Sequence, residues 1–190
     1  MVCRVVVLVS GTGTLLQSLL ESGAEPGAGF QVVAVGSERA DAFGLERAER
    51  AGVPSFVVPM LADRAEWDRR LTAAVAQCRP DLIVSAGFMK LVGPAFLARF
   101  GGRFINSHPA LLPSFPGMHG VRDALAAGVK VSGTTIFMVD EGVDTGHILA
   151  QRAVDVLPDD TEATLHERIK VVERELLVQV VNELAKESNV

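Results

Sequence analysis

Phe104-Ile105-Asn106-Ser107-His108-Pro109 is a short apolar run that ends in polar groups and is stopped by proline. Side chains alternate along a strand, so Asn106 and His108 share one face and Ser107 takes the other. That face carries an amide that can donate to an oxyanion and an imidazole that can move a proton near neutral pH. No nucleophilic serine or cysteine shares it, which suggests direct group transfer. Asp144, in the acidic stretch Asp140-Glu141-Gly142-Val143-Asp144, is the candidate partner of His108. A neighbouring carboxylate favours the imidazolium and raises a pKa that starts near ~6.5. Such a ring can steady an oxyanion or pass a proton to a leaving nitrogen. Each residue also has an ordinary alternative: His108 as a structural histidine after a strand, Asp144 as a turn residue.

Ser10-Gly11-Thr12-Gly13-Thr14 follows an apolar run and precedes a helical pattern. Free backbone N–H groups and a positive dipole end there make an anion site suited to phosphate. The turn lacks the third glycine of a dinucleotide fingerprint and the lysine of a P-loop, and an ordinary tight turn remains the other reading. Lys170 and Glu173, three apart on a helical pattern, share a face, where spacing alone favours an exposed ion pair worth little. Arg64 heads a helix, where its charge opposes the dipole; it is either solvated or paired with a ligand carboxylate. His119, His147 and His166 read as loop or surface residues. No spacing of a zinc site occurs, so no metal is predicted.

The elements that must position these groups are legible as alternating runs. Val5–Val9 is doubly apolar, as a strand buried on both faces should be. A helix follows from about Thr14 to Leu20, then a strand over Gln31–Val35. The next helix, for which Asp41 is the expected cap, runs to Gly52. A strand at Ser55–Val58 precedes a helix over Arg64–Gln77 that places Trp67, Leu71, Ala74 and Val75 on one face. Asp81–Ala86, Gly93–Phe100 and Phe104–Ser107 give strand, helix, strand. Ala110–Gly120, rich in Pro and Gly, has the composition of a moving loop. Val131–Val139 and His147–Val154 read as strands around the acidic loop, and a long helix runs from about Thr161 to Ala185. The expectation is an α/β fold, a Rossmann-like doubly wound and mostly parallel sheet with helices on both faces. Ligands in such sheets bind beyond the carboxyl ends of the strands, where Ser10, Gly87 and Ser107–His108 all fall.

Composition bounds the function. A chain of 190 residues, 48% hydrophobic, is expected to form one domain over 1–190, with a phosphate-binding half to about 100 and a catalytic half from about 101. No apolar run approaches the roughly 20 residues of a membrane span, and Met1–Val9 reads as a first strand rather than a secretion signal. The net charge of −5 argues against a nucleic-acid partner. Cys3 and Cys78 make no disulfide framework, so a reduced, cytoplasmic location is expected.

With these residues in hand, the chain resembles the phosphoribosylglycinamide formyltransferase family along essentially its whole length. The resemblance rests on Ser10–Thr14 with Gln17, on Ala40–Ala48, on Ala86-Gly87-Phe88-Met89-Lys90, on Asn106–Pro113 and on Asp140–Gly146, in that order. It implies transfer of the formyl group of 10-formyltetrahydrofolate to the amine of glycinamide ribonucleotide (GAR) in purine synthesis. Asn106 would hold the oxyanion, His108 would donate the proton, and Asp144 would keep His108 charged and order a water. GAR would meet Gly13, Thr14, Leu15, Lys170 and Glu173, which replaces the ion-pair reading of that helix. The folate would meet Met89, Lys90, Leu91 and Val92 with Asp140, Glu141, Gly142 and Val143, and Arg64 would take its glutamate tail. Partners would be these small molecules alone, in a monomer or homodimer.

Four positions depart from the family pattern: Leu15 where Asn is common, Lys90 for Arg, Phe137 for a frequent His and His147 for a frequent Pro. The first two bear on binding strength, and the last two leave the catalytic set intact. Other readings are a formyltetrahydrofolate deformylase using water as acceptor, a methionyl-tRNA formyltransferase-like enzyme, whose additional C-terminal domain and basic charge are lacking, and a nonenzymatic binding module.

Overall fold

The computed structural model describes residues 2–187. Met1, the first residue of the expected opening strand, and residues 188–190 lie outside them. Seven strands and six helices are found among the described residues. They run β1 (Cys3–Val9), α1 (Thr14–Gly23), β2 (Phe30–Ser37), α2 (Phe43–Arg50), β3 (Ser55–Val57), α3 (Arg64–Gln77), β4 (Leu82–Ser85), α4 (Pro94–Phe100), β5 (Phe104–His108), α5 (Gly120–Ala126), β6 (Val131–Met138), β7 (Ile148–Asp155) and α6 (Glu162–Glu187).

The strands form one sheet in the order β3-β2-β1-β4-β5-β6-β7. β3, β2, β1, β4 and β5 are mutually parallel, while β5–β6 and β6–β7 pair antiparallel. β1 is central because its pattern suits no other place. Val5, Val7 and Val9 pack into a cluster with α1 and α6, and Val6 and Leu8 pack on the opposite face with α3 and α4. The chain winds outward from β1 through β2 to β3, then returns to place β4 on the other side. The crevice that ligands favour in such sheets therefore opens between the carboxyl ends of β1 and β4. There the Ser10 N–H donates to the Gly87 carbonyl at 3.2 Å.

Two sequence expectations change. Asp41 does not cap α2, whose N-cap is Ala42 with no side-chain bond. Asp41 stands one residue too early and instead makes a bidentate pair with Arg39 (3.0 and 2.8 Å). The helix α5 lies where no element was expected, because its seven residues hold too few apolar positions for a periodic signal. It buries Val121 against Leu165 and Ile169 of α6. The Pro/Gly segment before it is tied at several points. Thr135 Oγ1 donates to the Ala110 carbonyl at 2.7 Å and accepts from the Leu112 N–H at 3.0 Å, and Gln151 Nε2 donates to the Leu112 carbonyl at 2.8 Å.

Candidate active site

β5 presents its polar side chains at its carboxyl end because both faces of its first residues are already committed. Ile105 packs with the α1/α6 cluster and Phe104 with the α3/α4 cluster. By alternation Asn106 and His108 lie on the Phe104 side and Ser107 on the α6 side. Asn106 is half-buried, and no other described side chain engages its amide. Its cross-strand neighbour is Phe137, so one of the four departures stands directly beside it.

His108 is buried, with 5% of its surface exposed. Its Nε2 lies 2.7 Å from the Phe115 carbonyl, and its Nδ1 lies 3.5 Å from Asp144 Oδ2. The second distance is that of an ion pair rather than a short hydrogen bond. A carbonyl and a carboxylate both only accept, so both ring nitrogens of His108 face acceptors. Asp144 Oδ2 also accepts from the Gly117 N–H at 2.7 Å. One loop thus holds both members of the pair. Phe115 and Asp144 adopt left-handed φ of 56° and 55°, a conformation uncommon for residues with a Cβ. Gly120 packs so tightly that a Cβ there would meet His108 Nε2 at 2.8 Å.

The glycine turn sits at the carboxyl end of β1. Gly13, at φ 69°, is the N-cap of α1 and has no side chain to bond the first-turn N–H groups. Any Cβ there would strike the backbone of Gly44 at 2.8 Å. Leu15 turns its side chain into the core, leaving its N–H as its contribution to the turn. Arg47 braces the turn from α2, donating to the Thr12 carbonyl at 2.7 Å and to Gln17 Oε1 at 3.0 Å.

Lys170 and Glu173 do not form the expected surface pair. Lys170 Nζ donates to Glu167 Oε1 at 2.8 Å. Glu173 is 5% exposed and lies beside the Ser107 and Thr134 hydroxyls, beneath β5. Burial pushes its carboxyl above the usual range, opposed by those two hydroxyls and by Lys170 and Arg174.

The segment Met89–Val92 joins β4 to α4. Met89 and Leu91 are exposed (65% and 62%), Lys90 is half-buried, and Val92 turns inward onto the α3/α4 cluster. Arg64 is neither simply solvated nor lacking a protein partner. Its Nη2 donates to the Leu91 carbonyl at 2.7 Å, and its guanidinium lies 4.6 Å from the Trp67 ring centroid. Asp140, Glu141, Gly142 and Val143 are exposed or nearly so. Asp140 accepts from the Gly142 N–H and Thr145 Oγ1 at 3.0 and 2.7 Å, which shapes the turn leading to Asp144. Asp140 and Glu141 also line a groove of about 400 Å³ with Leu97, Met138 and His147 that contains neither Asn106 nor His108. Among the described residues no cluster of three His, Cys, Asp or Glu side chains could hold a metal, and no helix is long and apolar enough to cross a membrane.

The sequence reading missed the parts played by Phe115, Gly117 and Arg47. Only Gly117, flanked by proline in a Pro/Gly stretch, carried a local signal. The others act through backbone atoms or through partners far away in the chain.

A family model described as formyl transferase matches residues 3–181. The chain belongs to the formyl transferase family. It is 58% identical over 96% of its length, and 85% of the relative's, to phosphoribosylglycinamide formyltransferase of Mycobacterium tuberculosis (strain CDC 1551 / Oshkosh). It is 41% identical to the human trifunctional purine biosynthetic protein adenosine-3 over 91% of this chain and 17% of that protein. Glycinamide ribonucleotide transformylase 1 from Symbiobacterium toebii superposes with a TM-score of 0.95 at 40% identity, covering 98% of this chain and 89% of that one. Within the formyl transferase family the chain falls on the phosphoribosylglycinamide branch and is a transferase. These relatives support the transferase reading and not the deformylase alternative.

Proposed function

We propose that the end of β5 transfers a formyl group from 10-formyltetrahydrofolate directly to the primary amine of GAR, giving formyl-GAR and tetrahydrofolate. The observation that carries this reading is the His108–Asp144 pair at 3.5 Å, beside an unengaged Asn106 amide on the same strand face. The amine nitrogen attacks the formyl carbon, a C–N bond forms, and the carbonyl π pair moves onto oxygen. The Asn106 amide donates to that oxyanion. Collapse of the intermediate breaks the bond to the folate nitrogen, which leaves with a proton from His108. The amine's surplus proton passes to water ordered by the Asp144 carboxylate. To deliver its proton through Nε2, His108 exchanges the Phe115 carbonyl for the reacting nitrogen.

GAR is assigned to Gly13, Thr14 and Leu15 for its phosphate, with Lys170 and Glu173 completing the site. The α1 start supports this, since its free N–H groups and dipole favour an anion. The folate is assigned to Met89–Val92 and Asp140–Val143, where exposed apolar side chains flank the crevice. Arg64 reaches the glutamate tail with whatever capacity its Leu91 bond leaves. A single domain acting in the cytoplasm, on small molecules alone, fits this chemistry. The test incubates the protein with 10-formyltetrahydrofolate with and without GAR and follows tetrahydrofolate. Product that depends on GAR is expected. Equal product without GAR would establish the deformylase instead, and no product from folded protein would end the formyl-transfer reading.

A further inference from the structure

Met89–Val92 is an exposed segment that must keep a defined shape if it is to receive a flat heterocycle, and its own sequence does not supply that shape. The helix that follows it, α4, has Gly93 as N-cap, with no side chain to bond the first N–H groups. Those groups are bonded by a residue of another helix. Asp68, in the interior of α3 and only 3% exposed, accepts from the Gly93 N–H through Oδ1 at 2.7 Å. Its Oδ2 accepts from the Ala95 N–H at 2.8 Å and the Phe96 N–H at 3.4 Å. The approach is so close that a Cβ at Gly93 would lie 2.6 Å from the Asp68 carboxyl carbon.

Two further bonds fix the rest of the segment. The Met89 N–H donates to Ser10 Oγ at 2.8 Å, which in turn donates to the buried Glu38 carboxylate at 2.9 Å. The Leu91 carbonyl accepts from Arg64. Asp68 holds the far end from the buried face of α3, the helix whose exposed first residue, Arg64, holds Leu91.

We infer that Asp68 is a positioning residue for the folate, setting the backbone of Met89–Val92 by capping α4 from α3. The inference rests on the assignment of folate to that segment. A carboxylate offers acceptor lone pairs on both oxygens, whereas an asparagine amide turns two donors toward N–H groups that are themselves donors. Asp68→Asn therefore keeps the volume and loses half the cap, and Asp68→Ala loses all of it.

Steady-state kinetics with 10-formyltetrahydrofolate and GAR, alongside thermal melts, provide the test. The expected result is a KM for the folate raised about tenfold in Asp68→Asn and further in Asp68→Ala, with the KM for GAR within about twofold and kcat within about threefold of wild type; tenfold corresponds to about 1.4 kcal/mol of binding. Gly93→Ala, which presses the same contact from the exposed side, gives the same split and remains measurable should Asp68→Ala fail to fold. Val75→Ala, a cavity in the same helix away from the segment, lowers the melting temperature without moving the folate KM. A folded Asp68→Asn and a folded Gly93→Ala that lose stability yet keep the wild-type folate KM would overturn the inference and leave the formyl-transfer reading standing. Wild-type protein with no formyl transfer would overturn that reading and this inference with it.

Discussion

In the proposed mechanism Asn106 and Asp144 contribute differently to the same reaction, and substitution separates them. Asn106 is half-buried and supports no described side chain, so Asn106→Ala removes an oxyanion donor while sparing the fold. A loss of about 10²–10³ in kcat is expected, with melting temperature little changed; stopped-flow or steady-state assays with thermal melts check it, and near-normal turnover would remove Asn106 from the mechanism. Asp144 is bound into its loop by the Gly117 N–H, so its replacement disturbs position as well as charge. The strand pattern placed Asn106 and His108 on one face because alternation is a local property. The Phe115 carbonyl on His108 was not legible, since a backbone acceptor has no residue type.

At the scale of elements, α6 shows how a helix start can be built around a charged residue just ahead of it. Asp160 accepts from the Leu157 N–H at 2.7 Å and from Thr164 Oγ1 at 2.9 Å, and its carboxylate binds the Arg168 guanidinium. Those bonds, led by Arg168, hold its carboxyl well below the ordinary carboxylate range. A depressed pKa means that the unfolded chain takes up the proton first as pH falls, so the contribution to stability is present above the unfolded value near ~3.9 and is lost in stronger acid. Asp160→Ala is therefore expected to melt below wild type at neutral pH, with the gap closing below about pH 4. A gap that stays constant into acid would show the loss to be one of packing. The helix itself was legible from Leu165 onward by its apolar spacing. The α5 helix was not, because a seven-residue helix finds its stability in Val121 packing on α6 rather than in a pattern of its own.

Over the whole molecule, the sheet separates two apolar clusters whose residues alternate along β1. Leu177 is fully buried in the α1/α6 cluster, far along the chain from the strands it covers. Leu177→Ala is expected to cost about 2–5 kcal/mol, read as a lower denaturant midpoint with the KM for both substrates unchanged. Altered KM values at full stability would mean that α6 sets the site as well as the core. The same packing explains Glu173: the helix must face the sheet to bury Leu176 and Leu177, and Glu173 is carried beneath Ser107 with it.

The sequence by itself determined the elements other than α5, the two-faced burial of β1, the glycine turn at Gly13 and the shared face of Asn106 and His108. Each follows from period, glycine placement or alternation within a few neighbouring residues. Only the tertiary structure decided the contacts between distant segments. β6 leaves β5 beside Phe104, so the acidic loop must fold back along β5 to bring Asp144 to His108. Asp68 meets Gly93 only because α3 and α4 pack on the same face of the sheet. Pairings of that kind depend on where elements dock, and docking is set by the summed burial of many side chains rather than by any motif.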